Sequence, residues 1–151
     1  MDKIFDNLIN LRKTLLQLTE DLSVEQLNKI PQGFNNNIIW NMGHVIAAQQ
    51  GICYTRSNLS PTVDINLVGR YKPGTLPVGS ISEEEINKIK SLLLPTIENL
   101  TADYQQGVFK EYIAVTTRYG VELTNIDNAI DFLQFHEGFH MGYVLALKRS
   151  I

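Results

Sequence analysis

Residues 135–149 read FHEGFHMGYVLALKR, and they contain the clearest helical pattern and the main candidate chemistry of the chain. It belongs to a longer helical pattern that begins at Asn125 or Asp127 and continues for about 23 residues, roughly 34 Å at 1.5 Å per residue. Helical spacing connects Ile126, Ile130, Leu133, Glu137, His140, Val144 and Leu147. The C-terminal part of the chain is therefore predicted to be one long helix.

Two histidines in this stretch, His136 and His140, are four residues apart. On a helix this spacing puts both imidazoles on one face, with Cβ atoms about 5 to 6 Å apart, so both can bind one metal ion. The HExxH string is also found in zinc proteases, but no His, Asp, Glu or Cys follows His140 to serve as a third ligand. The only other histidine is His44, and by elimination it is predicted to complete a three-histidine site.

The alternative for each histidine is a hydrogen-bonded core residue, which is the commoner role of a lone histidine on a semi-apolar helix face. For His44 taken alone, that alternative is favoured. The three histidines together favour a metal, since burying three unpaired imidazoles would depress their pKa values and cost stability. Three imidazoles suit zinc, nickel, iron or copper, and we expect one divalent ion, with zinc or nickel the first candidates. Such a site leaves coordination positions open for water or substrate.

Three further segments have the apolar spacing of amphipathic helices. The first covers residues 3 to 19, with Asp, Asn, Arg and Lys side chains between the apolar positions. The second covers residues 38 to 56. The third follows Ser82 and contains Pro95, where a kink is expected.

Two capping-box patterns mark helix starts. Ser23 with Gln26 precedes a short helical stretch at Val24 to Lys29, and Ser82 with Glu85 precedes the third long helix. Each pattern predicts that the two side chains satisfy backbone N–H groups at the start of a helix.

Residues 57 to 81 differ in composition from the helices on either side. They contain Pro61, Gly69, Pro73, Gly74, Pro77 and Gly79, which predict a loop rather than a helix. A connection of about 25 residues can cross a bundle from end to end, at roughly 3.3 Å per residue. Helices two and three are therefore expected to run parallel.

Residues 103 to 124 contain several strand-forming residues, and Gly120 is suited to a turn. The segment therefore allows a small hairpin before the fourth helix. With the four long helical patterns, this predicts an all-α fold, a four-helix bundle with a long crossover between helices two and three. Because 151 residues with 44% hydrophobic content suit one core, residues 1–151 are predicted to form a single domain.

Composition argues against several classes of partner. The net charge is −3 and the 13 Lys and Arg residues form no run, so neither nucleic acid nor a membrane surface is expected to bind. No apolar stretch approaches a membrane span, and the charged N-terminal residues do not resemble a signal peptide. A cytoplasmic protein is expected, and the single Cys53 is predicted to be a small buried hydrophobe on a helix.

Two segments resemble the metal-site helices of the DinB/YfiT-like superfamily. They are NIIWNMGHVIAAQ at residues 37–49 and the stretch at 135–149 quoted above, and the helix order agrees over almost the whole chain. Trp40, Gly43 and Gly142 also fit the family pattern. The resemblance implies a four-helix bundle in which His44, His136 and His140 surround a divalent metal, and it implies a homodimer.

For activity, the resemblance implies a thiol-dependent S-transferase or isomerase that uses a low-molecular-weight thiol as co-substrate. A metal with open positions can lower the pKa of a bound thiol and present a thiolate to a small-molecule electrophile. Metal-assisted hydrolysis is an alternative, and a non-catalytic binding or stress-response protein that is merely stabilised by the ion is another.

Four further residues are candidates for the site. Glu137 could act as a general base in hydrolysis, but on a helix it points about 100° away from His136, which favours a role as a supporting carboxylate. Asn41 and Gln49 flank His44 and could hydrogen-bond a ligand or cofactor. Arg70, in the crossover, could bind an anionic thiol cofactor.

Overall fold

The chain folds into a helical bundle with one very small sheet, in a computed structural model that describes residues 1–151. The all-α fold class is confirmed. In chain order the elements are α1 (Asp2–Leu18), α2 (Val24–Asn28), α3 (Ile38–Gln49), α4 (Ile65–Tyr71), α5 (Glu83–Gln105), β1 (Val115–Thr116), β2 (Glu122–Leu123) and α6 (Ile126–Lys148). The four predicted long helices correspond to α1, α3, α5 and α6. None of the helices combines the length and apolar character needed to cross a membrane.

The directions of the helices follow from the hydrogen bonds between them. Gln49 donates to the carbonyl oxygen of Thr96 at 2.8 Å, and the Tyr54 hydroxyl further along donates to Asp103 at 2.6 Å. Residue numbers therefore rise together along α3 and α5, so the two helices run parallel, as the length of the crossover predicts.

The crossover itself departs from the prediction, since a loop was expected throughout residues 57 to 81. It contains α4, whose start is capped by the Asp64 carboxylate accepting from the Asn66 N–H. Leu67, Val68 and Tyr71 are buried and belong to the same apolar cluster as much of α3. The prediction was wrong because α4 has only 7 residues, with Pro61 before it and Pro73 and Gly74 after it, so turn residues dominate the composition of the segment.

The second long helix also differs in detail from the predicted range of 38 to 56. The α-helical part ends at Gln49 and continues as a π-helical turn, Gln50–Tyr54, and a short 3₁₀ turn, Thr55–Ser57. Asn58, with φ of 57°, then ends the helical path in the left-handed region. Cys53 is completely buried within the π-helical turn, as predicted.

The capping predictions are confirmed at one position and half wrong at the other. Ser23 and Gln26 exchange both hydrogen bonds of a capping box. Ser82 accepts from the Glu85 N–H, but the Glu85 side chain bonds to Arg70 and Tyr71 instead of returning to Ser82. The Glu85 carboxylate therefore bonds to the crossover instead of to the backbone N–H at the start of its own helix.

The predicted hairpin and last helix are both confirmed. Val115 pairs with Leu123 and Thr116 with Glu122 in an antiparallel register. Asn125 caps α6, which runs for 23 residues. Helix α5 continues through Pro95 to Gln105, and the kink expected there stays a prediction.

The apolar core consists of two clusters, one built around α3 and α4 and a smaller one that contains Phe5, Leu8 and Cys53. On α1, Leu8 belongs to the smaller cluster and Leu15 to the larger one. Arg12 lies between them and is completely buried, which corrects the prediction that the arginine of this helix belongs to its polar face. A polar layer thus separates the two apolar clusters.

Candidate metal centre

Two helices bring the three histidines together. His44 lies on α3, and His136 and His140 lie one turn apart on α6. All three are buried, and one ligand nitrogen from each lies within 4.8 Å of the others. The ring centroids are 4.6 to 5.2 Å apart. The sequence prediction that these three residues converge is therefore confirmed in geometry.

Hydrogen bonds fix the tautomer of two of these rings. His44 Nδ1 lies 2.7 Å from the carbonyl oxygen of Tyr71, which can only accept, so Nδ1 carries the proton. His140 Nδ1 lies 2.8 Å from the side-chain oxygen of Asn41, and this amide is oriented because its nitrogen donates to the Asn37 carbonyl oxygen. In both neutral rings Nε2 therefore keeps its lone pair, which is the form that binds a metal.

The donor set fits a divalent metal ion. His136 Nδ1 and His140 Nε2 are enclosed but have no hydrogen-bond partner, an arrangement that is costly for buried polar atoms. The group contains no carboxylate and no thiol, so all its ligands are imidazoles. Zinc, nickel, iron and copper accept such ligands, whereas calcium and magnesium require oxygen.

Burial also favours the neutral form of the rings. The pKa of His136 is lowered to about 3 and that of His140 to about 2, mainly by burial and in addition by the neighbouring histidines. The pKa of His44 is lowered as well, again mainly by burial. At neutral pH all three imidazoles are therefore uncharged, and no proton has to leave the ligand nitrogen before a metal binds.

The crossover helix α4 forms part of this site, which sequence reasoning missed. The Tyr71 carbonyl orients His44, and the Tyr71 ring packs on α3 at Gly43. A Cβ atom at Gly43 would lie only 2.7 Å from two atoms of that ring, so glycine permits the close approach. The only advance signal was a glycine inside a strongly apolar helix, one residue before a candidate ligand.

The other predicted site residues lie in different surroundings. Asn41 is buried against His140, as described above. Gln49 is completely buried, donates to the Thr96 carbonyl oxygen and accepts from Arg12 at 3.1 Å. Arg70 is exposed and pairs with Glu85 at the start of α5. The binding of a ligand or cofactor by Asn41, Gln49 and Arg70 stays a prediction.

Glu137 forms a buried ion pair with Arg12. Glu137 Oε1 accepts from Arg12 Nη2 at 2.7 Å, and both carboxylate oxygens lie 3.1 Å from Arg12 Nε. Arg12 also donates to the Leu93 carbonyl oxygen at 2.8 Å and to the Thr96 hydroxyl. Together with its bond to Gln49, these contacts connect α1 with α3, α5 and α6 beside the histidine pair.

Arg12 was missed by sequence reasoning, although a signal existed. It follows Leu8 by four residues and precedes Leu15 by three, so it occupies an apolar-stripe position on α1. A charged residue on that stripe requires a buried partner of opposite charge.

Comparison with known proteins gives one finding. A family model described as the DinB superfamily matches residues 7–144, almost the whole chain. No curated protein matches the chain.

Proposed function

The chain belongs to the DinB superfamily, and from this premise we propose that it is a metal-dependent enzyme that activates a low-molecular-weight thiol for transfer to a small electrophilic substrate. The observation that carries the proposal is the cluster of three buried, neutral imidazoles with unpartnered nitrogen atoms. When bound there, a divalent ion would supply a Lewis acid that favours the thiolate form of a thiol at neutral pH.

The thiol has to come from a second substrate, because the chain has no accessible thiol of its own. Cys53 is the only cysteine, it is completely buried, and burial raises the pKa of its thiol. In the proposed reaction the thiol loses its proton to solvent, its sulfur forms a bond to the electrophilic carbon, and the leaving group departs with its electron pair. The residues of the chain bind and orient the reactants.

For Glu137 we propose a positioning role. Metal-assisted hydrolysis would need a general base, and Glu137 is the residue that the sequence offers. Both of its oxygens contact the Arg12 guanidinium, which supports a role in fixing α6 rather than in proton transfer. A homodimer and a cytoplasmic location, which the family resemblance and the composition imply, are proposed on that basis alone.

The first test is elemental analysis of the purified, untagged protein. We expect about one divalent ion per chain in the wild type and in Cys53→Ala, which removes the only thiol of the chain, and we expect loss of the ion in His140→Ala. A wild type that stays metal-free after incubation with zinc or nickel would overturn the proposal.

The second test separates catalysis from a structural role of the ion. The zinc- or nickel-loaded protein is mixed with 2-mercaptoethanol and 1-chloro-2,4-dinitrobenzene, and formation of the thioether is followed by absorbance, with His140→Ala as control. Circular dichroism after chelation shows whether the fold survives. Unfolding on chelation, without turnover by the loaded protein, would favour a structural ion.

A further inference from the structure

The turn of the β-hairpin holds two side chains out beside α6. The Thr117 carbonyl accepts from the Gly120 N–H at 2.9 Å, and Gly120 has φ of 77°. The Thr117 N–H donates to the Val121 carbonyl oxygen at 2.9 Å, which closes the turn. Arg118 and Tyr119 therefore occupy its two central positions, where side chains project away from the strands.

Tyr119 packs against three aromatic rings of α6. We call Tyr119, Phe132, Phe135 and Phe139 the aromatic surface, in which Phe132 is the buried member beneath the other three. The Tyr119 ring centroid lies 5.2 Å from that of Phe135, 5.9 Å from Phe139 and 6.4 Å from Phe132. Phe135 is 52% exposed, Phe139 43% and Tyr119 37%. Contiguous exposed apolar surface is typical of sites that bind a ligand or another molecule.

The aromatic surface borders the histidine triad directly. The Phe139 ring lies 5.4 Å from that of His140, edge to face, and the Phe132 ring lies 5.9 Å from that of His136. A small molecule that rests on the exposed Phe139 ring would therefore lie beside His140 of the candidate metal centre.

Arg118 adds a positive charge that has no carboxylate partner. Its guanidinium lies 5.1 Å from the Tyr119 ring centroid and donates to the Tyr119 hydroxyl at 3.1 Å, but it forms no salt bridge. Resting on an aromatic ring, the planar guanidinium keeps several N–H groups available to an anion.

We propose that Arg118 and the aromatic surface form a subsite for a small molecule that carries a carboxylate on an apolar body. Arginine matches a carboxylate with two parallel N–H donors, and the exposed rings provide the complementary apolar contact. The proposal rests on the proposed function in that the bound acid would be a reactant at the metal. Binding of the acid depends on Arg118 and can be measured without metal.

The test compares a charged probe with a neutral one of the same shape. Dissociation constants of phenylacetate and phenylacetamide are measured by NMR titration with metal-free and zinc-loaded protein. We expect phenylacetate to bind about tenfold more tightly, the ratio expected for a charge-assisted hydrogen bond. We expect Arg118→Gln to abolish this preference and Phe139→Ala to weaken both probes. Lys3→Gln, which removes an exposed cation on α1, is the matched control and should leave both constants unchanged.

A second pair of probes identifies which reactant carries the carboxylate. If it belongs to the thiol, 3-mercaptopropionate should bind the zinc-loaded protein more tightly than 2-mercaptoethanol, and only in the presence of Arg118. Absence of an Arg118-dependent preference in both pairs would overturn the subsite, even if zinc binds normally. If the preference is present in a protein that binds no metal, the subsite stands and the proposed thiol chemistry fails.

Discussion

The Arg12 guanidinium lies 2.7 Å from the Glu137 carboxylate in the interior of the bundle, and both side chains are shielded from solvent. The two residues are 125 positions apart in the chain, so the ion pair connects the first and last helices. The contact limits how α6 can rotate about its axis. Because Glu137 directly follows His136, it thereby also limits the orientation of this histidine. The glutamate of the HExxH string thus forms a buried ion pair with the first helix.

Removing one partner of this ion pair should strongly destabilise the protein. Arg12→Met leaves the Glu137 carboxylate buried without a counter-charge, for which we expect a loss of about 3 to 5 kcal/mol in the free energy of unfolding. Urea unfolding followed by circular dichroism measures the effect.

The double variant Arg12→Met with Glu137→Met provides the control, because it removes both charges and should recover much of the loss. If Arg12→Met alone is as stable as the wild type, the ion pair does not have the role assigned to it. Lys88→Ala, which removes the partner of Asp64 in a solvent-exposed ion pair, should leave the urea midpoint little changed.

Asn41 should affect metal affinity without contacting the metal. Its amide oxygen accepts from His140 Nδ1 and so keeps Nε2 free. For Asn41→Ala we expect zinc affinity to fall by about 10- to 100-fold, as is usual when such a supporting partner is lost. Competition with a chromophoric chelator measures the affinity. Asn35→Ala, at an exposed position before α3, is the matched control, and equal affinities of the two variants would contradict the prediction.

Gly43 should tolerate no side chain. The Cβ atom of Gly43→Ala would lie 2.7 to 2.9 Å from the Tyr71 ring, so either the ring or α4 has to move. We expect a loss of about 1 to 3 kcal/mol in unfolding free energy and weaker zinc binding, because the Tyr71 carbonyl orients His44.

Gly142→Ala is the matched control, since nothing lies within 4 Å of a Cβ atom at that position in α6. There the better helix propensity of alanine should stabilise the protein by about 0.5 to 1 kcal/mol. Thermal unfolding of the two variants side by side measures the contrast, and loss of stability in both would show that steric contact with Tyr71 is not the cause.

The metal-free protein should lose stability as the pH falls below neutrality. The ordinary pKa of histidine is 6.5, whereas in the folded chain it is lowered to about 3 for His136 and about 2 for His140. Below pH 6.5 the unfolded chain therefore binds more protons than the folded chain, and unfolding becomes easier. We expect a loss of about 1.4 kcal/mol per pH unit for each of the two histidines between pH 6.5 and pH 4.

Urea midpoints of the chelated protein at pH 7.5, 6 and 5 measure this dependence. Between pH 7.5 and pH 5 carboxylates contribute little, so the double variant His136→Gln with His140→Gln should show a shallower slope. Equal slopes for the wild type and the double variant would contradict the assignment.

The long helices, the hairpin and the pairing of His136 with His140 could be predicted from the sequence, because they follow from local regularities in the spacing of apolar, turn and histidine residues. The parallel crossover was predicted from the length of the connection, and His44 was predicted by elimination as the only remaining histidine. The family match over residues 7–144 agrees with that interpretation.

The support of the site depends on contacts between helices that the sequence does not reveal. Arg12 pairs with Glu137, and the Asn41 amide oxygen accepts from His140, 99 positions away. Helix α4, within the predicted loop, presents the Tyr71 carbonyl to His44. Sequence periodicity shows which face of a helix is buried, but it does not show which polar groups on different helices satisfy one another. Packing determines those partners, because a buried charge or amide is stable only where the fold places a hydrogen-bonding group within reach.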